Sequence, residues 1–284
     1  MSTADLSTRS ALVGWTVIAA GLSAALVLLL AGQAMFAALG LRSLVPAITV
    51  FYLLLWGPLL GLALVIGALE KRAVLRSGEA CSRWTAIGLA CGVGGLLVTV
   101  ASTWFEGAVV PGEAVRVGAV YLLLGTALTL FQVAGEEVLF RGWLFPALAE
   151  RIGLAAGIGA SALAFAAFHL VGGAKAPLSL LNLFLGGVWF ALLAWRSGGV
   201  LAPIAAHFGW NLAEDLGLGL VPNPGVGELG SVWNFDLAGS ALWGGSDEGL
   251  NASVVMTAVL VALIVPLAWP RRAGSPRAPA VGSQ

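Results

Sequence analysis

Charge is scarce in this chain. Only 10% of its 284 residues are Asp, Glu, Lys or Arg, against about 25% in soluble domains. With a mean hydropathy of +0.97, a water-soluble fold is excluded. Cysteine is almost missing: Cys81 and Cys91 are the only two, one in a basic loop and one inside an apolar run, so neither a disulfide framework nor a cysteine-based zinc site is available. Histidine is equally rare, with His169 and His207 alone. The H-E-x-x-H pattern of helix-borne zinc sites is absent.

What the chain has is apolar length. About 20 residues of helix cross a hydrocarbon layer of roughly 30 Å, and runs of that order stand at 11–39, 44–69, 84–102, 115–134, 152–171, 178–195, 200–220 and 252–269. The expected fold is an all-α membrane protein, a bundle of about eight transmembrane helices. The first run is too long for the apolar core of a secretory signal peptide and reads as an anchor. Residues 1–10 read as a cytoplasmic N-terminal tail, 11–269 as one polytopic membrane domain, and the Pro/Arg/Gly-rich stretch 270–284 as a disordered C-terminal tail. The segment 221–249 is rich in Gly, Asn, Asp and Trp, which suits an outer loop at headgroup level.

Basic residues resist translocation. With eight spans and both termini cytoplasmic, all of the 14 Lys and Arg fall inside except Arg42, Arg116 and Lys175. Small residues recur at four-residue spacing, Gly88 with Gly92 and Gly153 with Gly157, a pattern that lets helix backbones approach closely.

An ionisable residue at a helix centre costs about 2.5 to 3.5 kcal/mol even on the lenient insertion scale, so the few within these runs need a reason. The fourth run leads into Glu136-Glu137-Val138-Leu139-Phe140-Arg141. On a helix Glu137 and Arg141 stand at i and i+4 with the acid first and can pair, while Glu136 points about 100° away. Both histidines follow within apolar runs, in Phe165-Ala166-Ala167-Phe168-His169 and in His207-Phe208-Gly209-Trp210-Asn211.

Glu136 and His169 lie nearly equally far to either side of the break at 151–153, roughly 25 Å each at 1.5 Å per residue. This requires the fourth helix to run on to about Glu150, with Pro146 as a kink site. Asn211 follows His207 by one turn on the same face. Glu136, His169, His207 and Asn211 are therefore expected around one polar cavity, in the cytosolic half of the membrane.

A carboxylate, two imidazoles and a carboxamide in a low-dielectric bundle form a hydrolytic constellation. Glu136 would take a proton from water, His169 would orient or share that water, and His207 with Asn211 would donate to a tetrahedral oxyanion. The same Glu136, His169 and His207 form a His/His/carboxylate set for a divalent metal such as zinc. Metal-bound and metal-free chemistry both remain open at this point.

These motifs resemble the CPBP family of intramembrane proteases, the type II CAAX prenyl endopeptidases and their bacterial relatives linked to bacteriocin processing and self-immunity. The family pattern E-E-x-x-x-R, F-x-x-x-H and H-x-x-x-N or H-x-x-x-D is met in order by Glu136, Glu137 and Arg141, by Phe165 and His169, and by His207 and Asn211, with a protease core over about 115–215. The resemblance implies an intramembrane (metallo)endopeptidase in which the first Glu and first His activate water and the second His with Asn forms the oxyanion hole.

Twelve Arg against two Lys, with heavy Ala and Gly use, points to a GC-rich bacterial genome, hence to a multi-pass protein of the plasma membrane. The expected partners are a peptide or membrane-protein substrate and the lipid bilayer, with no nucleic acid. Two other classes fit the same residues: a non-catalytic membrane scaffold or self-immunity protein, and a proton-coupled transporter with the acids and histidines as a relay.

Overall fold

A computed structural model describes residues 3–112, 118–220 and 226–269. It is an α-helical membrane bundle. In a hydrocarbon layer each backbone N–H and C=O must be satisfied within its own segment, so apolar runs become helices. They are α1 (Thr3–Leu39), α2 (Leu44–Leu69), α3 (Cys81–Phe105), α4 (Ala119–Glu137), α5 (Phe145–Ile152), α6 (Leu154–Gly172), α7 (Pro177–Ser197), α8 (Leu201–Leu212) and α9 (Val254–Ala268).

Six helical stretches are long and apolar enough to cross a membrane: Leu12–Leu39, Leu44–Leu69, Cys81–Phe105, Ala119–Ile152, Leu154–Gly172 and Pro177–Ser197. The seventh and eighth expected runs are occupied by shorter helices, α8 with 12 residues and α9 with 15. Large side chains such as Leu123, Leu163 and Val120 stand exposed, as befits a lipid-facing surface.

The fourth helix does run on as expected. α4 passes into a π-helical turn, Val138–Leu144, and then into α5, which ends at the Gly153 turn. The distortion is this π turn rather than a kink at Pro146 alone: the Phe145 N–H already bonds the Phe140 carbonyl five residues back, and Pro146, lacking an N–H, makes no demand on the next carbonyl. A second π turn, Ala213–Gly217, continues α8.

Three local features add to the expectation. Residues 3–10 are helical and continuous with α1, while the stretch apolar enough to cross a membrane begins at Leu12. Cys81 opens α3 instead of sitting in a loop. Glu214 and Asp215, near the end of the expected 200–220 run, are buried in the second π turn. Residues 1–2, 113–117, 221–225 and 270–284 lie outside the described residues, and with them the expected C-terminal tail, Arg116 and the start of the 221–249 loop.

The remainder of that loop forms a roof over one end of the bundle. Its strand β2 (Phe235–Leu237) pairs antiparallel with β1 (Val109–Pro111), a small departure from an all-helical fold. Glu248 ties the roof to the start of α7, where its Oε1 accepts from the Lys175 and Ala176 amides at 2.9 and 2.8 Å. Burial pushes this carboxyl up, but the Ser179 hydroxyl, the two amides and the Lys175 charge outweigh burial and hold it below its ordinary range. The buried Asn182 amide of α7 adds bonds to the Asn251 and Ser253 carbonyls at 2.8 and 2.9 Å.

At the opposite end a strap between α2 and α3 packs on the α7–α8 turn. The Val200 amide bonds the Arg76 carbonyl at 2.8 Å, and Arg72 grips Glu150 with two 2.7 Å bonds.

The tightest helix contact carries a motif read from the sequence. A methyl group on Gly88 would strike the Ala202 carbonyl, and one on Gly92 the Ala206 carbonyl, so α3 lies backbone to backbone on α8 just before His207. Gly153 and Gly157 divide their labour instead: the first turns the chain at φ 85°, the second packs on Ala149. Gly92→Ala is therefore expected to cost about 1 to 3 kcal/mol by overpacking and to lower the melting temperature in detergent. Gly94→Ala, whose added methyl meets open space, leaves it unchanged. Equal melting of the two variants would contradict this packing.

Candidate active site

The site forms where α4 and α8 face each other. Glu137, on the last turn of α4, has a fully buried side chain and accepts from Arg141 Nη1 at 2.9 Å. The i, i+4 pair expected from the sequence is thus present, and it closes across the start of the π turn. Arg141 also donates to the Gly187 carbonyl of α7 at 3.2 Å. Its guanidinium lies over the rings of Phe165, Phe190 and Phe140, at 4.4, 5.2 and 5.7 Å. A cation surrounded by π faces and carbonyl dipoles is partly compensated for its lost hydration.

The same Glu137 oxygen reaches across to α8. Its Oε1 is 2.9 Å from His207 Nδ1. A carboxylate accepts and does not donate, so His207 Nδ1 carries the proton and Nε2 is left facing away. Phe190 stacks on the His207 ring with centroids 4.7 Å apart and planes 18° from parallel, which fixes the ring plane. His207 Nε2 then points to Glu136, whose Oε2 stands 4.0 Å away. That gap is too long for a direct hydrogen bond and suits one bridging water.

Glu136 turns away from Glu137 as the helical wheel requires. Its Oε1 accepts from the Trp56 indole at 2.8 Å and from the Gln132 amide at 3.4 Å. Its Oε2 is buried and without a hydrogen-bond partner among the described residues.

His169 is placed differently. Its Nδ1 lies 2.9 Å from the Phe165 carbonyl, so this nitrogen is also the protonated one. The ring packs on Phe165 at 4.5 Å and is only partly buried. Phe165, the first residue of its motif, thus supports both the Arg141 cation and the His169 ring. His169, His207, Asn211 and Gln132 line one cavity of about 70 Å3. Glu136 does not line it; its neighbours Gln132 and His207 do.

The depth of this cavity differs from the expectation. His169 stands three residues before the end of α6, and Asn251 beneath the roof and Met256 in the first turn of α9 border the cavity. The site therefore lies toward the roof end rather than in the half nearer the 151–153 turn. Helix arithmetic placed Glu136 and His169 at a shared level, but α6 ends just after His169 and leaves no further span beyond it.

The candidate metal ligands are not drawn together. Among the described residues no three His, Cys, Asp or Glu side chains gather as a metal site. Glu136 and His207 approach each other, whereas His169 Nδ1 bonds a carbonyl of its own helix. The donors present do not fit a preformed zinc site of the Glu136, His169, His207 type.

Several residues at the site carried weaker signals in the sequence. Gln132 precedes Glu136 by one turn, and Glu214 follows His207 by two turns and Asn211 by one, so periodicity could have found both. Trp56 comes from a distant helix, and nothing local in the sequence marks it. Glu214 borders the same cavity.

Because Arg141 neutralises a wholly buried carboxylate, removing it leaves that charge unpaired. Arg141→Met is expected to destabilise the protein by about 3 to 5 kcal/mol, more than His169→Ala. The double variant Arg141→Met, Glu137→Gln should recover part of the loss. Melting of Arg141→Met like wild type in detergent would show that the pair does not carry this load.

A family model described as Rce1-like, Type II CAAX prenyl endopeptidase Rce1-like, matches residues 118–213, a stretch that contains Glu136, Glu137, Arg141, Phe165, His169, His207 and Asn211. No curated protein and no solved structure matches the chain. Over residues 118–213 this membrane-embedded chain is similar to the Rce1-like type II CAAX prenyl endopeptidase family.

Proposed function

We propose that the protein is an intramembrane endopeptidase that hydrolyses a peptide bond with water activated by Glu136 and His207. The observation that carries this reading is the 4.0 Å gap between Glu136 Oε2 and His207 Nε2. With Glu136 as a carboxylate and the His207 ring neutral, both atoms accept, and one water can donate a hydrogen to each. Its lone pair is then free to attack a carbonyl carbon. Water adds to the carbonyl as its proton passes to the Glu136 carboxylate. The oxyanion that forms is within the province of Asn211, whose amide is a neutral donor on the cavity wall. Collapse breaks the C–N bond, and Glu136 returns the proton to the leaving amine.

This division of labour departs from the one the family resemblance implies. His207 rather than His169 stands beside Glu136, and a neutral ring with its proton on Nδ1 has no hydrogen to give an oxyanion from Nε2. Glu137 and Arg141 act as positioning residues: they hold the His207 tautomer. His169 borders the place where substrate would lie and is a polarising or orienting group. No step runs through a metal ion.

The distribution of Lys and Arg supports an orientation with both termini cytoplasmic and the strap inside. On that orientation the roof faces outward, and substrate reaches the cavity from the outer half of the bilayer.

The test is cleavage of membrane-anchored peptides, lipidated and not, by purified protein in lipid. Glu136→Ala is expected to lower kcat/KM by at least about 100-fold with unchanged melting, and cleavage should survive a chelator. Retained cleavage in Glu136→Ala would remove that residue from the mechanism. Loss of cleavage on chelation would restore the metal reading. No cleavage by the folded wild type of any peptide would favour a scaffold or immunity role.

A further inference from the structure

One buried acid at the site has no part in the chemistry above. Glu214 is 2% exposed, lies on the wall of the cavity shared by His169, His207 and Asn211, and sits on the α8 face one turn beyond Asn211. The Trp210 indole bonds its carboxylate, but Oε1 has no hydrogen-bond partner among the described residues. A buried acceptor left open beside a cavity costs free energy that a donor from outside can offset.

The surroundings specify the donor. No Lys or Arg lines the cavity among the described residues. The chain that roofs it is also one-signed: residues 214–249 hold six Asp and Glu, at Glu214, Asp215, Glu228, Asp236, Asp247 and Glu248, and no basic residue. Of the other amides on the wall, Asn182 is already spent on Asn251, Ser253 and Thr257, and Gln132 on Glu136. A cation with N–H donors entering under the acidic roof would complement the open carboxyl oxygen and favour its ionised form.

We infer that Glu214 forms a specificity subsite for a basic side chain, Lys or Arg, of the peptide substrate. This rests on the endopeptidase reading. Glu214 follows His207 by seven residues and Asn211 by three, about 10 and 5 Å along the helix axis. At about 3.3 to 3.6 Å per extended residue, the basic residue falls within about three positions of the scissile bond. An ion pair with charge-assisted hydrogen bonds in this low-dielectric wall discriminates against an apolar side chain of equal length.

The test uses one membrane-anchored peptide in which Lys, norleucine or Glu is placed in turn at the three positions on each side of the cleaved bond. Kinetics are measured with the full chain in nanodiscs. The wild type is expected to prefer Lys over norleucine by about tenfold or more in kcat/KM at one of these positions, and to disfavour Glu. In Glu214→Gln, which keeps hydrogen-bonding capacity but no charge, that ratio falls toward one. In Glu214→Lys the preference passes to the Glu peptide.

Binding of the same fluorescently labelled peptides to Glu136→Gln protein, with and without Glu214→Gln, separates recognition from catalysis. A Lys preference in binding that Glu214→Gln removes, without cleavage by the wild type, would sustain the subsite and overturn the peptidase. Cleavage by the wild type with no preference for a basic residue would overturn the subsite and leave the peptidase standing. A Lys preference unchanged in Glu214→Gln, or no binding of any Lys peptide, would also overturn the subsite. Absence of a Lys preference in the wild type overturns the subsite even where a variant fails to fold, and Glu214→Asp, which keeps the charge, should retain the preference that Glu214→Gln loses.

Discussion

The site depends on a single buried ion pair. Glu137 and Arg141 are both wholly removed from solvent, a placement that neither could occupy alone. The Glu137 oxygen that takes Arg141 also takes His207 Nδ1, so the pair that neutralises the charge also sets the proton position on the imidazole. From there the order is dictated atom by atom. Nδ1 faces Glu137, Nε2 faces Glu136, and the proposed reading puts one water in the 4.0 Å between them. The π turn that follows Glu137 and the aromatic cage around Arg141 hold the geometry without any polar contact to solvent.

Around this pair the bundle divides into two parts with different work. α3 and α8 are locked together by Gly88 and Gly92, which carries His207 on a rigid surface. The roof is held by polar ties instead: Glu248 at the start of α7 and Asn182 to Asn251 and Ser253. Packing in lipid has little hydrophobic driving force between helices, so small-residue contacts and buried hydrogen bonds carry the specificity. On the proposed reading, the rigid contact positions the chemistry and the tied roof sets what charge approaches it.

Much of this was legible in the sequence because the relevant forces are local. Runs of apolar residues gave the helices, and the spacing of Glu137 and Arg141 gave their pair. The rarity of histidine in a membrane chain made His169 and His207 conspicuous. What could not be read was tertiary. No periodicity assigns the Trp56 indole to Glu136, or chooses between the two histidines as its neighbour. The length of α6 beyond His169 is set by a glycine-rich end at Gly172 and Gly173, not by apolar composition, which continues through Val171. Glu214 stands where the apolar run 200–220 fades, and the π turn keeps it on the α8 face.

The central claim is that Glu137 holds the His207 ring with its proton on Nδ1 and its Nε2 open toward Glu136. With only two histidines in the chain, 15N NMR of histidine-labelled protein in nanodiscs, with His169→Ala to assign the signals, measures this directly. The account predicts a His207 ring with a protonated, hydrogen-bonded Nδ1 in the wild type, lost in Glu137→Gln. A His207 ring protonated on Nε2 alone, or one indifferent to Glu137→Gln, would contradict it.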